Sequence, residues 1–331
     1  MAKVVRFHEL GGPEVLRLEE IEVGEPAAGE LRIRVDAIGL NRSESMLRSG
    51  HYVHGVDRFP ALLGYEAAGA VEAVGDGVAG FTVGDLVSVV PAFRMGDYGV
   101  YGDQVIVPAS AVVHRPAEID AVTGAAVWMP FITAYGALVD VGGLRAGDAV
   151  VVTAASSSVG LATIQLVNHL GGIPIATTRT SAKRDQLLAA GAEHVIVTDE
   201  EDVVERVLAV TEGRGVRFVF DPVAGPGVRE LAKVMAPGGT LFVYGTLSRE
   251  PTPFPTTAPG RPFQMRSYTL MEITMDEQRL RRAERFIGAA LRSGAFRPVI
   301  DRSFDLAEIV DAHRYLESNA QVGKIIVTVG H

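Results

Sequence analysis

The residues from Ala149 to Leu170 have the make-up of a phosphate cradle. Ala149-Val-Val-Val-Thr-Ala154 reads as a buried strand, Ala155-Ser-Ser-Ser-Val-Gly160 as a turn, and the stretch from Leu161 as a helix. Ala155, Ser157 and Gly160 take the three positions of a dinucleotide fingerprint: a small residue for the tight turn, one that lets the backbone approach a pyrophosphate, and a glycine for close helix–strand packing. Backbone N–H groups of Ser156, Ser157, Ser158, Val159 and Gly160, with the positive end of the helix dipole, would then face an anion. An ordinary strand-to-helix turn capped by serine fits the same residues, and the repeated strand–helix units that follow favour the nucleotide site. A literal G-x-G-x-x-G stands at Gly75, Gly77 and Gly80, but Phe81 to Val90 continues with a turn and a strand, so it predicts a hairpin connection.

The end of the next strand bears on which dinucleotide would bind. A site for NAD wants a carboxylate there for the ribose 2′-hydroxyl, whereas the 2′-phosphate of NADP wants cations and hydroxyls. From Leu161 to Arg184 there is no Asp or Glu, and strand Ile173–Thr177 runs into Thr178-Arg179-Thr180-Ser181-Ala182-Lys183. Arg179 can stack on adenine or hold the phosphate, and Lys183 adds a point charge. NADPH is the expected cofactor. Val223 and Tyr244-Gly245, at the ends of later strands, fit the crevice outside the carboxyl edge of such a sheet.

These residues need a scaffold, and the chain supplies two rhythms. The first 120 residues read as short strands and turns: Val4–Phe7, Leu31–Ile38, Ala68–Val74, Leu86–Val90 and Gln104–Pro108. From Ala149 strands alternate with helices: strands Ala149–Ala154, Ile173–Thr177, His194–Thr198, Val216–Asp221 and Thr240–Tyr244, with helices about Val159–Leu170, Ser181–Ala190, Asp202–Thr211 and Gly227–Met235. That alternation predicts a parallel sheet covered on both faces. The Pro251–Pro262 stretch predicts a loop, Ser267–Thr274 a strand, Asp276–Ser293 a helix, and Pro298–Val329 a strand, helix and strand returning to the first domain. The fold class is therefore α/β, with a second, mostly antiparallel β domain.

The chain has 331 residues, 47% hydrophobic and 21% charged, and no cysteine, which excludes disulfides, thiolate metal sites and a cysteine nucleophile. A formal charge of -9 without a basic block argues against nucleic acid or an anionic membrane as partner. The uncharged runs Ala121–Val139 and Ala149–Asn168 approach membrane-spanning length, but Pro130, Gly136 and Gly160 interrupt them, and both read as buried core. His51 and His54 form an isolated H-x-x-H, read as surface histidines rather than a metal site.

His8-Glu-Leu-Gly-Gly-Pro-Glu-Val-Leu16, Ile38-Gly-Leu-Asn-Arg42, Leu47-Arg-Ser-Gly50, Gly64-Tyr-Glu-Ala-Ala-Gly69, Gly84-Asp85, the Ala154–Gly160 turn and Gly323-Lys324 occur in order along essentially the whole chain. Together they resemble the medium-chain dehydrogenase/reductase superfamily, and within it the zinc-free quinone oxidoreductase branch. The resemblance implies a GroES-like catalytic domain over 1–124 and 294–331, a Rossmann doubly wound domain over 125–293, NADPH between them, and a homodimer in the cytoplasm. Zinc-dependent members carry a cysteine near Asn41 and a histidine in a G-H-E triplet, here Gly64-Tyr65-Glu66, so no zinc is expected. The branch has glycines where Ser157 and Ser158 stand and an aromatic residue in place of Met46, and the tyrosine that often follows its third Rossmann strand is Thr198. These departures touch the details of the substrate and 2′-phosphate pockets.

Without a metal Lewis acid, hydride addition to a conjugated acceptor is the easier reaction, because the charge moves to a remote oxygen that hydrogen-bond donors can hold. The expected activity is NADPH-dependent reduction of a quinone or an α,β-unsaturated carbonyl. Asn41, matching the branch's asparagine, would bond the nicotinamide ribose or the substrate oxygen, and Tyr65 is the candidate side-chain donor, with packing as its alternative. Trp128, Met129, Phe131 and Thr133 open the Rossmann half near the nicotinamide or lie in the core. Lys324 matches a C-terminal lysine that reaches towards the cofactor, against a plain surface lysine. A reductase dedicated to one biosynthetic enoyl or enone intermediate, and an idle NADPH-binding structural protein, are the alternatives.

Overall fold

The computed structural model describes residues 1–256 and 261–331. The chain divides into two compact units, one of residues 1–129, 274–280 and 298–331, the other of residues 130–273 and 281–297.

The first unit is built on a seven-stranded sheet. Its centre is Glu30–Gly39, in which Leu31, Ile33, Val35 and Ala37 face inward while Arg32, Arg34 and Asp36 are partly exposed, the two-residue period of a half-buried strand. Glu66–Val74, Gln104–Pro108 and Lys324–Thr328 all pair antiparallel to it, and Leu86–Val89 and Val112–His114 extend the sheet antiparallel beyond Glu66–Val74. Ile300–Asp305 closes the other edge, parallel to Lys324–Thr328. The C-terminal strand therefore pairs within the first unit. Ala2–Phe7 and Leu16–Ile21 form a separate antiparallel pair. The Gly75, Gly77 and Gly80 triplet joins two antiparallel strands, so it is a hairpin connection. Gly69 permits close strand approach, since a Cβ there would stand 1.8 Å from the Arg34 carbonyl oxygen.

In the second unit six parallel strands lie in the order His194–Val197, Ile173–Thr178, Ala149–Val152, Val216–Asp221, Met235–Val243 and Gln264–Ser267. The first strand in sequence thus has the second on one side and the fourth on the other, the reversal of a doubly wound sheet. Val151, Ile175, Ile196, Val219 and Leu241 pack in one apolar cluster with Val207, Val228 and Leu231 from the covering helices. Such continuous burial explains why these strands read as unbroken apolar runs.

Some boundaries differ from expectation. Ser267–Thr274 is not a strand: the ladder covers Gln264–Ser267 against Thr240–Val243, and a short helix, Met271–Thr274, follows. The partner strand ends at Val243, whose carbonyl accepts the Tyr268 N–H at 2.8 Å as the last rung, and the Tyr268 side chain is buried. The loop expected over Pro251–Pro262 falls partly on residues 257–260, outside those described. Ala121–Val141 is helical, long and apolar enough to cross a membrane by length and composition, and 83% of that segment is buried inside the protein.

Candidate functional site

The topology puts the Ala154–Gly160 turn and the Pro222–Gly225 loop after the two strands that flank the reversal of strand order, where ligands bind in open α/β sheets. Both carry an alanine in the left-handed region, Ala154 at φ 46° and Ala224 at φ 60°. Non-glycine residues are held there at a cost that commonly marks a functional loop.

Ser157 is the N-cap of helix Ser158–His169, its Oγ accepting the Gly160 N–H at 3.1 Å. The Ser157 N–H is spent on the Ala154 carbonyl at 3.0 Å. Of the expected anion donors, these two are therefore used within the turn. Ser158 and Val159, at the first two helical positions, have N–H groups that the helix itself cannot satisfy. Gly160 is required sterically, because a Cβ would come within 2.6 Å of the Ala155 backbone. Lys183 reaches the same turn, its Nζ donating to Ser156 Oγ at 3.3 Å. Arg179 and Thr180 are exposed beyond the end of strand Ile173–Thr178, and Thr178 Oγ1 donates to the Thr180 carbonyl. No acid stands on this strand end, but the next strand brings Asp199 alongside, its N–H donating to the Arg179 carbonyl at 3.0 Å.

Asp221 organises the other loop, a role its sequence position did not suggest. Its buried carboxylate accepts from the Val223 and Ala224 N–H groups, at 3.2 and 2.7 Å, and from Thr153 Oγ1. Burial raises its pKa, and those three donors oppose the rise. Tyr244 stacks on Phe220 with centroids 4.0 Å apart, and Gly245 passes so close to Pro222 that a Cβ would lie 2.7 Å from its carbonyl oxygen. These small residues, free N–H groups and cations fit a dinucleotide. Thr133 is buried in the helix Ala121–Tyr135, and Phe131 is core, stacked on Phe296 at 4.5 Å.

The first unit holds a different arrangement. Asn41 caps helix Arg42–Arg48, and Glu44 reaches back to its N–H. Asn41 Nδ2 donates to the Gly39 carbonyl and to Glu44 Oε1, both at 3.1 Å, while Oδ1 accepts from Lys324 Nζ at 2.6 Å. Lys324 Nζ also donates to Glu66 Oε2 at 2.5 Å, and Glu66 Oε1 accepts the Met129 N–H at 2.9 Å. Glu44 and Glu66 are 0% exposed and Lys324 1%. Lys324 is thus no surface lysine: its ammonium faces Asn41 and Glu66. Burial drives the Glu44 carboxyl up to about 8, against the opposing pull of Lys324, and raises Glu66 as well.

Tyr65 is buried beside this cluster, tilted against Phe93, with its hydroxyl 3.3 Å from that of half-buried Tyr52. Desolvation pushes both phenols above their ordinary range. A phenol so placed keeps its proton at any working pH and can act as a donor, not as a base.

Glu44, Glu66, Tyr52 and Asp221 were not singled out from the sequence. Asn41-x-x-Glu44 has the spacing of a capping box and could have identified Glu44; Tyr52 sits between the two histidines of the H-x-x-H. His51 bonds Ser49 and His54 packs edge-on to Tyr52. Among the described residues no group of three or more His, Cys, Asp or Glu is placed to hold a metal ion.

Two family models match the chain. Residues 27–117 match the alcohol dehydrogenase GroES-like domain and residues 190–327 a model described as zinc-binding dehydrogenase. The chain is 32% identical to a quinone oxidoreductase of Pseudomonas aeruginosa, over 99% of both chains. It is 28% identical to a 2-haloacrylate reductase of a Burkholderia species, over 99% of this chain and 98% of that one. The crystal structure of Escherichia coli quinone oxidoreductase complexed with NADPH superposes with a TM-score of 0.90, at 28% identity, over 99% of this chain and 100% of that one.

Proposed function

Because this chain belongs to the quinone oxidoreductase family of the medium-chain dehydrogenase/reductase superfamily, we propose that it is a reductase that uses NADPH, without zinc, to reduce a quinone or an α,β-unsaturated carbonyl. NADPH, when bound, supplies the hydride. In this reading the second unit holds the cofactor: Ser158 and Val159 N–H groups at the pyrophosphate, Arg179 and Lys183 at the 2′-phosphate, and Val223, Tyr244 and Gly245 along the crevice.

The first unit serves the acceptor. The Tyr65 hydroxyl donates a hydrogen bond to the oxygen on which charge builds as hydride arrives at the conjugated carbon, Tyr52 holds that phenol from the other side, and a proton from solvent completes the reduction. Asn41 is narrower in role than its sequence suggests. Both its amide protons are committed, to Gly39 and Glu44, so it can accept from a ribose hydroxyl but cannot donate to a substrate oxygen. Zinc independence rests on residue types: Asn41 and Tyr65 stand where zinc enzymes of the superfamily have ligands, and the chain has no cysteine. The reading carries with it a homodimer in the cytoplasm, and light scattering on the purified protein tests the first of these.

The observation that carries the proposal is the buried, protonated Tyr65–Tyr52 pair. Stopped-flow oxidation of NADPH against a panel of quinones, enals and enones, with and without a strong chelator, tests it. Turnover that survives chelation is expected. Loss of activity restored by zinc would overturn the metal-free reading, and tight NADPH binding with no oxidation would leave a structural role. The likeness to a 2-haloacrylate reductase favours one second reading, a dedicated reductase of one activated alkene, which the panel would reveal as a single favoured substrate.

A further inference from the structure

Asn41 owes its orientation to three neighbours. An ammonium has no acceptor, so Lys324 must meet Oδ1, and the Gly39 carbonyl can only meet Nδ2, which fixes which way the amide points. The third neighbour is Glu44, which the mechanism above leaves without a task. Its Oε1 accepts from Nδ2 at 3.1 Å and its Oε2 from the backbone N–H of the same residue, so one carboxyl grips Asn41 twice. Its surroundings are Lys324 from strand Lys324–Thr328, Glu66 from strand Glu66–Val74, and the phenols of Tyr52, Tyr65 and Tyr101. A single ammonium cannot balance two carboxylates in the interior. Glu66, at 2.5 Å from Nζ and also accepting the Met129 N–H, is the ionised partner, and a neutral Glu44 leaves the cluster without net charge.

We propose that Glu44 is a positioning residue for the reaction: its carboxyl locks the Asn41 amide as an acceptor towards the ribose of NADPH. The proposal rests on the reading that Asn41 meets the cofactor. Without the carboxyl, one amide proton loses its partner and the side chain is free to turn an N–H towards the ribose hydroxyl, which then has to give up its bond. Glu44→Gln keeps the size of the side chain, but where the hydroxyl oxygen of the neutral carboxyl can still accept from Asn41 the amide NH2 cannot, so one tie becomes a donor–donor clash.

The test is a double-mutant cycle of Asn41→Ala, Glu44→Gln and both together, read as the Kd for NADPH by fluorescence and as kcat and KM with the best acceptor of the panel. Residues acting through one another give strongly non-additive effects. Glu44→Gln is expected to weaken NADPH about tenfold, mostly in KM with little change in kcat. In the Asn41→Ala background it should cost nothing further. Equal losses in both backgrounds, or no loss in either, would overturn the proposal. If Asn41→Ala itself leaves NADPH affinity unchanged, the ribose reading fails first, and Glu44 has nothing to position. Should Glu44→Gln not fold, Glu44→Asp, one methylene short of both bonds, is read in the same cycle.

Discussion

The interior cluster of the first unit and the Ala154–Lys183 region of the second, the proposed cofactor cradle, solve opposite problems. In the cluster, Asn41, Glu44, Glu66 and Lys324 are buried side chains that satisfy one another, drawn from segments up to 283 residues apart in sequence. In the cradle the working groups are backbone N–H groups of one contiguous turn and cations at the surface, Arg179 exposed and Lys183 half-buried. On the proposed function, the cluster couples chemistry to folding, whereas the cradle can change its ligand with little effect on the fold. This difference yields an ordered set of expectations.

The largest effect should come from the cluster. Lys324→Met leaves the buried Glu66 carboxylate without its cation and Asn41 Oδ1 without its donor, and should cost roughly 3–5 kcal/mol of stability, by analogy with other broken buried pairs; chemical denaturation of the purified protein measures it. If the loss is below about 1 kcal/mol, close to a surface pair, the contrast between the regions disappears. The same interior predicts a pH dependence. Glu44 titrates near 8 in the folded chain and near 4.5 when exposed, so between those values the folded state holds a proton that the unfolded state has lost. Its contribution is complete below about 4.5 and is lost as pH rises towards 8, a decline on the order of 2–5 kcal/mol. Comparing Glu44→Gln with the parent across that range isolates the contribution, and identical slopes would refute it.

Next in size is Tyr65→Phe, which on the proposed function removes a hydrogen-bond donor at the reacting oxygen. Turnover should fall about a hundredfold with NADPH affinity unchanged, and an unchanged rate would reduce Tyr65 to packing against Phe93. The smallest effect belongs to the cradle. Arg179→Ala should lower the NADPH over NADH preference about tenfold, worth about 1.4 kcal/mol of binding, while stability stays within about 0.5 kcal/mol. Asp199, held beside Arg179 by a backbone hydrogen bond, makes this a sharp test: equal affinity for the two cofactors in the parent protein would mean that the acid offsets the cations.

The two regions also differed in how well the sequence disclosed them. The strand, turn and helix from Ala149 to His169 were legible because they are consecutive and each glycine or serine acts within a few residues of its neighbours. Even there, which N–H groups remain free could not be read, since the Ser157 cap that consumes the Gly160 N–H is a matter of local geometry. In the cluster, Asn41, Tyr65 and Lys324 came from motifs, but their mutual contacts depend on a strand near the C-terminus pairing with Glu30–Gly39. Nothing local in Glu66 or Lys324 announces the other. The fold class followed from alternation of strands and helices, whereas the end of strand Gln264–Ser267 was set by the length of its partner.

That late strand has a consequence for how the protein is made. Glu66 leaves the ribosome 258 residues ahead of the lysine that neutralises it, which at about 5–20 residues per second is a delay of roughly 13–50 s. During that interval the nascent first unit holds carboxyls that cannot be buried without protons and a sheet whose central strand has an open edge. The second unit, whose strands and helices are contiguous from residue 149 to 267, has the means to fold meanwhile. Translation order therefore favours a finished second unit before the sheet of the first can be completed, and leaves the first unit as the part most in need of a chaperone.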